Sequence, residues 1–144
     1  MKILFVTNEI PFPPDNGVRI VSHHAMRLMR ESGHALALAV LTEETGNVAE
    51  RFEEVRQLCE PGFAWWMQLR YRSAMGVQFL ALLTRRLFPI ERYRCSAFRA
   101  RLIQLIAAFK PDVVHFDIIT MTQYRDTVLA GVGVVASVND SYVV

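Results

Sequence analysis

Short apolar runs alternate with segments of helical periodicity along the chain. The first run, Ile3–Val6, is continuous, as is typical of a strand buried on both faces of a parallel sheet. The proline-rich segment 11–17 that follows can continue neither a strand nor a helix. Beyond it, apolar residues recur every three or four positions, which predicts a helix ending at Gly33. The predicted core-facing stripe of this helix consists of Val21, Ala25, Leu28 and Met29.

The same alternation continues to the end of the sequence. It predicts further strands at 35–41, 111–117 and 134–138, and helices near 48–58, 72–87, 96–109 and 120–130. The apolar run 63–67 is either a short strand or the start of a helix, since periodicity does not separate the two. Strands that alternate with helices are typical of an α/β protein with a parallel sheet. We therefore expect residues 1–144 to form a single Rossmann-like domain, a three-layer αβα fold with a mainly parallel sheet.

Polar residues follow three of the predicted strands. They are Thr7-Asn8-Glu9 after the first strand, Asp117 after the fourth, and Asn139-Asp140 after the last. In a doubly wound sheet these strand ends converge on the carboxyl edge, where open α/β sheets bind ligands. The loop 8–16 and the helix start at Gly17 lie at the same edge, since a parallel connection crosses over right-handedly. This edge is the candidate site.

The number and distribution of charged residues limit the classes of molecule that this chain is expected to bind. The formal net charge is only +2, and we find neither a basic tail nor a zinc-type Cys/His spacing, which argues against nucleic-acid binding. The charge is uneven, however, because residues 61–110 contain nine Lys or Arg and one acid, Glu91. The two cysteines, Cys59 and Cys95, have no CxxC spacing, and we interpret them as reduced residues of a cytosolic protein.

The sequence leaves open whether the protein contacts a membrane surface. The apolar stretch 74–84 is about half of a membrane span and contains Gln78, so we expect no transmembrane helix. The chain begins directly with a strand, which makes a secretory signal unexpected. Aromatic residues interleave with Arg70 and Arg72, a composition that suits an anionic membrane surface or a groove for an acidic lipid-linked acceptor. The alternative is a solvated cationic face over an ordinary core, and we slightly prefer this interpretation of the composition.

Four segments together resemble a known family. They are Lys2-Ile3-Leu4-Phe5-Val6-Thr7, Pro11-Phe12-Pro13-Pro14-Asp15-Asn16-Gly17-Val18-Arg19-Ile20, Gly33-His34 and Lys110-Pro111-Asp112-Val113-Val114-His115. In this order and spacing they resemble the N-terminal half of a GT-B-fold glycosyltransferase of family 4. The resemblance covers essentially the whole chain.

The resemblance implies the acceptor-side domain of a retaining glycosyltransferase. Such an enzyme moves a sugar from a nucleotide-sugar donor to a hydroxyl acceptor, in polysaccharide or glycolipid synthesis, in a cleft between two Rossmann-like domains. The expected partners are the nucleotide-sugar, an acceptor glycan or lipid, and a C-terminal domain that carries the donor site and the family's paired glutamates. Neither a cofactor nor a metal is expected. The implied location is the cytoplasm, with a peripheral contact on the inner face of the cell membrane left open, and the isolated domain should lack turnover.

The resemblance also suggests site residues, none of them a catalytic nucleophile. The family's glycine pair is Asn16-Gly17 here, and Gly17 takes the place of the glycine that approaches the donor. Arg19 and His24 match a subgroup pattern and are expected to make polar or anionic contacts, whereas the family's second histidine is replaced by Asp117. Asp117, with Asn139 and Asp140, is expected to line the cleft. Each position also has a plain alternative: a helix start, a solvated cation, a packed imidazole, a turn or a helix cap.

Two other classes remain as alternatives, a non-catalytic nucleotide-binding module and a membrane-surface module. The sequence Gly-x-Gly-x-x-Gly does not follow the first strand, which argues against a dinucleotide site. A receiver module would need paired acids at that point, and the chain has Asn8-Glu9.

Overall fold

A computed structural model describes residues 1–70, 74–84 and 88–137. Its strands are β1 (Lys2–Thr7), β2 (Ala35–Thr42), β3 (Ala64–Gln68), β4 (Val113–Phe116) and β5 (Gly133–Ala136). Its α-helices are α1 (Gly17–Glu31), α2 (Val48–Arg56), α3 (Ala74–Thr84), α4 (Phe88–Arg92) and α5 (Ser96–Phe109). A 3₁₀ helix (Ile119–Thr127) precedes β5.

All five strands are parallel and lie in the order β3-β2-β1-β4-β5. Helices cover both faces of the sheet, so the predicted α/β, Rossmann-like three-layer architecture is confirmed. The helices α1 and α2 form the front layer, and α5 with the 3₁₀ helix forms the back layer. The central strands β1 and β2 are buried on both faces, which explains their continuous apolar runs.

The predicted elements are present, with different bounds in the second half. Of the helix predicted over 72–87, residues 74–84 form α3, and 72–73 and 85–87 lie outside the described residues. The helix α4, which the sequence analysis did not predict, begins at Phe88. Pro89 lies in the first turn of α4, where its missing amide costs no helical hydrogen bond. The segment predicted as a helix over 120–130 is the 3₁₀ helix. Both cysteines are free, as interpreted from the sequence.

The predicted core-facing stripe of α1 is wrong for two of its four residues. Ser22 and Met26 are buried against the sheet, whereas Val21 and Leu28 are 52% and 62% exposed. The periodicity counted Ser22 as polar and therefore as outward-facing. In the fold its hydroxyl is hydrogen-bonded inside the protein, so the helix is rotated by about one residue from the predicted phase.

Candidate functional site

The carboxyl ends of β1 and β4 lie side by side at the centre of the sheet edge. The amide of Asp117 donates to the carbonyl of Val6 at 3.0 Å, so the residue that follows β4 lies next to Thr7. Asp117 is buried, and its carboxylate accepts a hydrogen bond from the hydroxyl of Ser22 on α1. Burial raises the pKa of Asp117, while hydrogen bonds from Ser22 and Thr7 and the nearby His115 oppose the rise. Asp117 thus joins α1 to the sheet at the predicted site.

His115 lies on the front face of β4, two residues before Asp117. Its Nε2 is 2.7 Å from the hydroxyl oxygen of Ser137, and its ring packs edge-on against Phe5, with ring centroids 4.8 Å apart. Burial lowers the pKa of His115, and the charge of Asp117 acts in the opposite direction. These contacts make His115 a packed residue beside the site.

The end of β1 presents a second buried polar group, Asn8. Its amide nitrogen donates to the hydroxyl of Thr120 at 3.3 Å. Its Oδ1 atom is buried without a hydrogen-bond partner in the part of the chain that the structure describes. A buried acceptor of this kind is costly to leave unsatisfied, so a water molecule or a ligand hydroxyl at this point would be stabilising.

The start of α1 is capped but open to approach. The Asn16 side chain accepts from the amide of Arg19 at 2.9 Å, and the amide of Ile20 bonds the Asn16 carbonyl, so the amides of Gly17 and Val18 precede the helical hydrogen bonds. A Cβ built on Gly17 would meet no atom within 4 Å. Neither backbone strain nor internal packing therefore requires a glycine at position 17, and the space in front of it is free.

Arg19 lies within a cluster of carboxylates. It contacts Asp15 at 2.8 Å, Glu44 at 2.9 Å and Glu9 at 3.5 Å. Burial lowers the pKa of Arg19, but the hydrogen bonds to Asp15 and Glu44 outweigh that effect and the pKa is raised. Arg51 adds a further contact of 2.6 Å to Glu44. The predicted anion-binding arginine is thus already matched by internal acids, and it ties α1 to the loop after β2.

The two neighbouring histidines of α1, His23 and His24, differ from the prediction in their solvent exposure. The sequence predicts a surface position for His23 and allows partial burial of His24. Partial burial belongs to His23, whose ring lies 6.0 Å from that of Phe12, while His24 is exposed on the outer side of the helix. The physical reason is again the rotation of α1, which turns position 23 towards the loop after β1.

The remaining predicted site residues, Asn139 and Asp140, lie outside the described residues. Their convergence with Asp117 stays a prediction.

A cavity of 590 Å³ opens at the carboxyl ends of β2 and β3. It is lined by Glu43, Thr45, Gln68, Leu69, Arg70 and Arg92. Both carboxylate oxygens of Glu43 lie within 2.9 Å of Nε of Arg92, whereas Arg70 has no ion pair within the described part of the chain. Because Glu44 contacts Arg19, the loop that lines this cavity also touches the start of α1. The cavity and the open face at Gly17 therefore belong to one edge.

No known protein family and no curated protein matches this chain. The likeness to a glycosyltransferase domain rests on the sequence motifs alone.

The sequence reasoning linked Arg70 to a groove for an acidic acceptor but missed the other cavity residues, although a signal for them existed. Glu43 and Thr45 directly follow β2, and Gln68 ends β3, so the strand-end rule that selected Asp117 also applies to them. Arg92 carried no such signal, because it lies on the helix α4 and follows no strand.

Among the residues that the structure describes, no three His, Cys, Asp or Glu side chains are placed to hold a metal ion together. Within the same residues, no helix has both the length and the apolar character needed to cross a membrane.

Proposed function

We propose that this chain is the acceptor-side domain of a retaining glycosyltransferase of the GT-B type. The observation that carries the proposal is the carboxyl edge of the sheet. There, an open helix start at Gly17 lies on the same edge as a cavity large enough for a sugar-sized acceptor. The order and spacing of the sequence motifs supply the reaction class.

The two parts of the edge suit the two substrates. The free amides at the start of α1 favour an anion such as the phosphate of a nucleotide-sugar, and the missing side chain at Gly17 allows close approach. The cavity offers a carboxylate on Glu43, an amide on Gln68 and a guanidinium on Arg70. Carboxylates and amides hydrogen-bond sugar hydroxyls, and a guanidinium pairs with an acidic acceptor.

No proton transfer or nucleophilic role is assigned to this domain. Its residues bind and orient, while a C-terminal domain would hold the nucleotide. The proposal places the enzyme in the cytoplasm. There it would use nucleotide-sugars as donors and would reach an acceptor at the inner face of the membrane.

The test uses the complete polypeptide that carries this chain, incubated with a panel of nucleotide-sugars and cell-envelope lipids or glycans. We expect transfer from at least one donor, measured as labelled product. Gly17→Ala should keep the fold, since nothing contacts the added methyl group, and should reduce transfer by about tenfold or more because that group displaces the donor.

Arg56→Ala is the matched control, because Arg56 is exposed at the end of α2, at the opposite edge of the sheet. It should leave transfer unchanged. Transfer from none of the donors, or equal rates for wild type and Gly17→Ala, would overturn the proposal.

A further inference from the structure

Two further cavities adjoin the one at the ends of β2 and β3. A second cavity, of 370 Å³, shares residues 68–70 with the first and continues to the start of α5. A third, of 530 Å³, shares residues 94–96 with the second and is lined by the start of α5 and by the 3₁₀ helix. The three cavities therefore form one continuous surface, which we call the long groove. Each cavity alone has a volume in the range of small-molecule sites, about 300–1,000 Å³, so the groove has room for more than one sugar.

Positive charge is distributed along the whole of the long groove. Four arginines among the described residues line it, and they are spread over all three cavities: Arg70, Arg92, Arg94 and Arg99. The carboxylates among its described lining residues are those of Glu43 and Asp126. The groove therefore carries more positive than negative charge. Arg70, which has no ion pair within the described residues, is open to an acidic ligand.

The third cavity presents hydrogen-bonding groups that suit sugar hydroxyls. Arg99 donates to both carboxylate oxygens of Asp126, at 2.7 and 2.6 Å. The two side chains are 41% and 62% exposed, so the other N–H groups and lone pairs of the pair can reach a ligand. The amide nitrogen of Gln123 donates to the carbonyls of Ile90 and Thr120, which holds this side chain in place. Donors and acceptors that are ordered beforehand bind a ligand at a lower entropic cost.

We propose that the acceptor of this domain is an acidic oligosaccharide of several sugars, whose far end lies in the third cavity between Arg99 and Gln123. The reacting end of the acceptor lies in the first cavity, and an acidic group of the chain pairs with Arg70. This assignment rests on the transferase function proposed above and adds the length and the charge of the acceptor. An acidic peptide fits less well, because extended peptides are bound largely through main-chain hydrogen bonds to a strand edge, and helices line the third cavity.

The test is isothermal titration calorimetry of the complete polypeptide that carries this chain, without a nucleotide-sugar. The probes are galacturonic acid oligomers of two and six sugars, maltose and maltohexaose as neutral oligomers of the same lengths, and hexaglutamate. We expect the acidic hexamer to bind about tenfold more tightly than the acidic dimer, because only the hexamer reaches the third cavity. The neutral hexamer should bind more weakly than the acidic one, because it has no group that pairs with Arg70.

Two variants separate the two ends of the groove. Arg99→Ala/Asp126→Ala should bind the acidic hexamer about fivefold more weakly and leave the affinity for the acidic dimer unchanged, because it removes hydrogen bonds in the third cavity alone. Arg70→Gln should bind both acidic oligomers about tenfold more weakly and the neutral oligomers as the wild type does, because it removes a charge-assisted hydrogen bond.

Glu53→Ala/Arg56→Ala is the matched control, because it removes an exposed ion pair on α2 that lies outside the groove. It should bind every probe as the wild type does, and circular dichroism should show that all variants are folded. Any of four results would overturn the proposal: no binding of either acidic oligomer, equal affinities for the dimer and the hexamer, unchanged hexamer binding by Arg99→Ala/Asp126→Ala, or binding of hexaglutamate in preference to the acidic hexamer.

The binding measurement also separates this inference from the transferase function. No donor is present, so length-dependent binding without transfer would contradict the proposed reaction alone. Transfer to an acceptor whose affinity does not rise with its length would contradict the long groove alone.

Discussion

At the scale of single residues, polar groups at the sheet edge are engaged with one another. Arg19 forms ion pairs with three carboxylates, and the carboxylate of Asp117 accepts a hydrogen bond from the hydroxyl of Ser22. These contacts order the loop after β1 and the start of α1 without a ligand. Asn8 differs, because its buried Oδ1 has no partner in the described part of the chain. Preorganised neighbours around an unsatisfied acceptor are suited to binding, since little order has to be created when a ligand arrives.

His115 gives a pH-dependent prediction. Burial lowers its pKa below the ordinary 6.5, so the unfolded chain binds the proton more readily than the folded protein. Its contribution to stability is therefore fully present above pH 6.5 and is lost as the pH falls through the folded-state pKa. We expect the free energy of unfolding, measured with urea, to fall between pH 7.5 and pH 5.

His115→Gln should reduce that slope, and His24→Gln, at an exposed position, should keep it. His115→Gln also removes the nearby group that opposes the raised pKa of Asp117, so the difference between the proteins measures His115 together with its coupling to Asp117. An unchanged slope in His115→Gln would show that the imidazole is not protonated preferentially on unfolding.

At the scale of elements, the phase of α1 decides which of its residues stabilise the fold. Met26 is fully buried among front-layer residues that include Ile3, Phe5 and Leu38. Leu28, which the periodicity assigned to the core, projects outward. The hydroxyl of Ser22 can occupy the core-facing side because two acceptors lie within reach of its one hydrogen, the carbonyl of Val18 and the carboxylate of Asp117.

Met26→Ala should therefore lower the free energy of unfolding by about 2–5 kcal/mol, through lost burial and the cavity that remains. Leu28→Ala should change it by less than about 0.5 kcal/mol. Guanidinium unfolding of the two variants beside the wild type measures both values. Equal losses of unfolding free energy in the two variants would contradict the observed orientation of α1 and would favour the one that the periodicity predicted.

At the scale of the whole molecule, the strands of the sheet differ in how far neighbouring elements cover them from solvent. Strands β1 and β2 have a neighbour on each side and helices on both faces, whereas β5 pairs only with β4 among the described residues. The side chains of β5 are exposed on both faces, with Val134 and Val135 39% and 49% exposed. Such an edge strand opens at a lower free energy than a central one.

Amide hydrogen exchange followed by mass spectrometry should reflect this difference. Peptides covering β1 and β2 should exchange only through global unfolding, and those covering β5 should exchange much faster. Slow exchange in β5, equal to that in β1, would indicate that another segment or a second molecule covers this edge.

The fold class and the candidate edge of the sheet follow from the order of residues alone. Continuous apolar runs require burial on both faces, and parallel strands place Thr7, Asn8 and Asp117 at one edge whatever the side-chain details. These statements depend only on local periodicity and on the handedness of the connections.

The contacts between individual side chains, in contrast, depend on how the helices pack on the sheet. The rotation of α1 depends on the Ser22 hydroxyl finding Asp117, 95 residues away. The neutralisation of Arg19 depends on Glu44 from the loop after β2, and the cavity depends on Arg92 of α4 lying beside Glu43. A periodicity analysis treats every serine as an outward-facing polar residue and every arginine as an unpaired cation. It does so because the partners that change those properties lie far away in the chain. The exposed apolar side chains of α3, which are Met75, Phe79, Leu82 and Leu83, are of the same kind, since an apolar run is typical of a core until the fold leaves it uncovered.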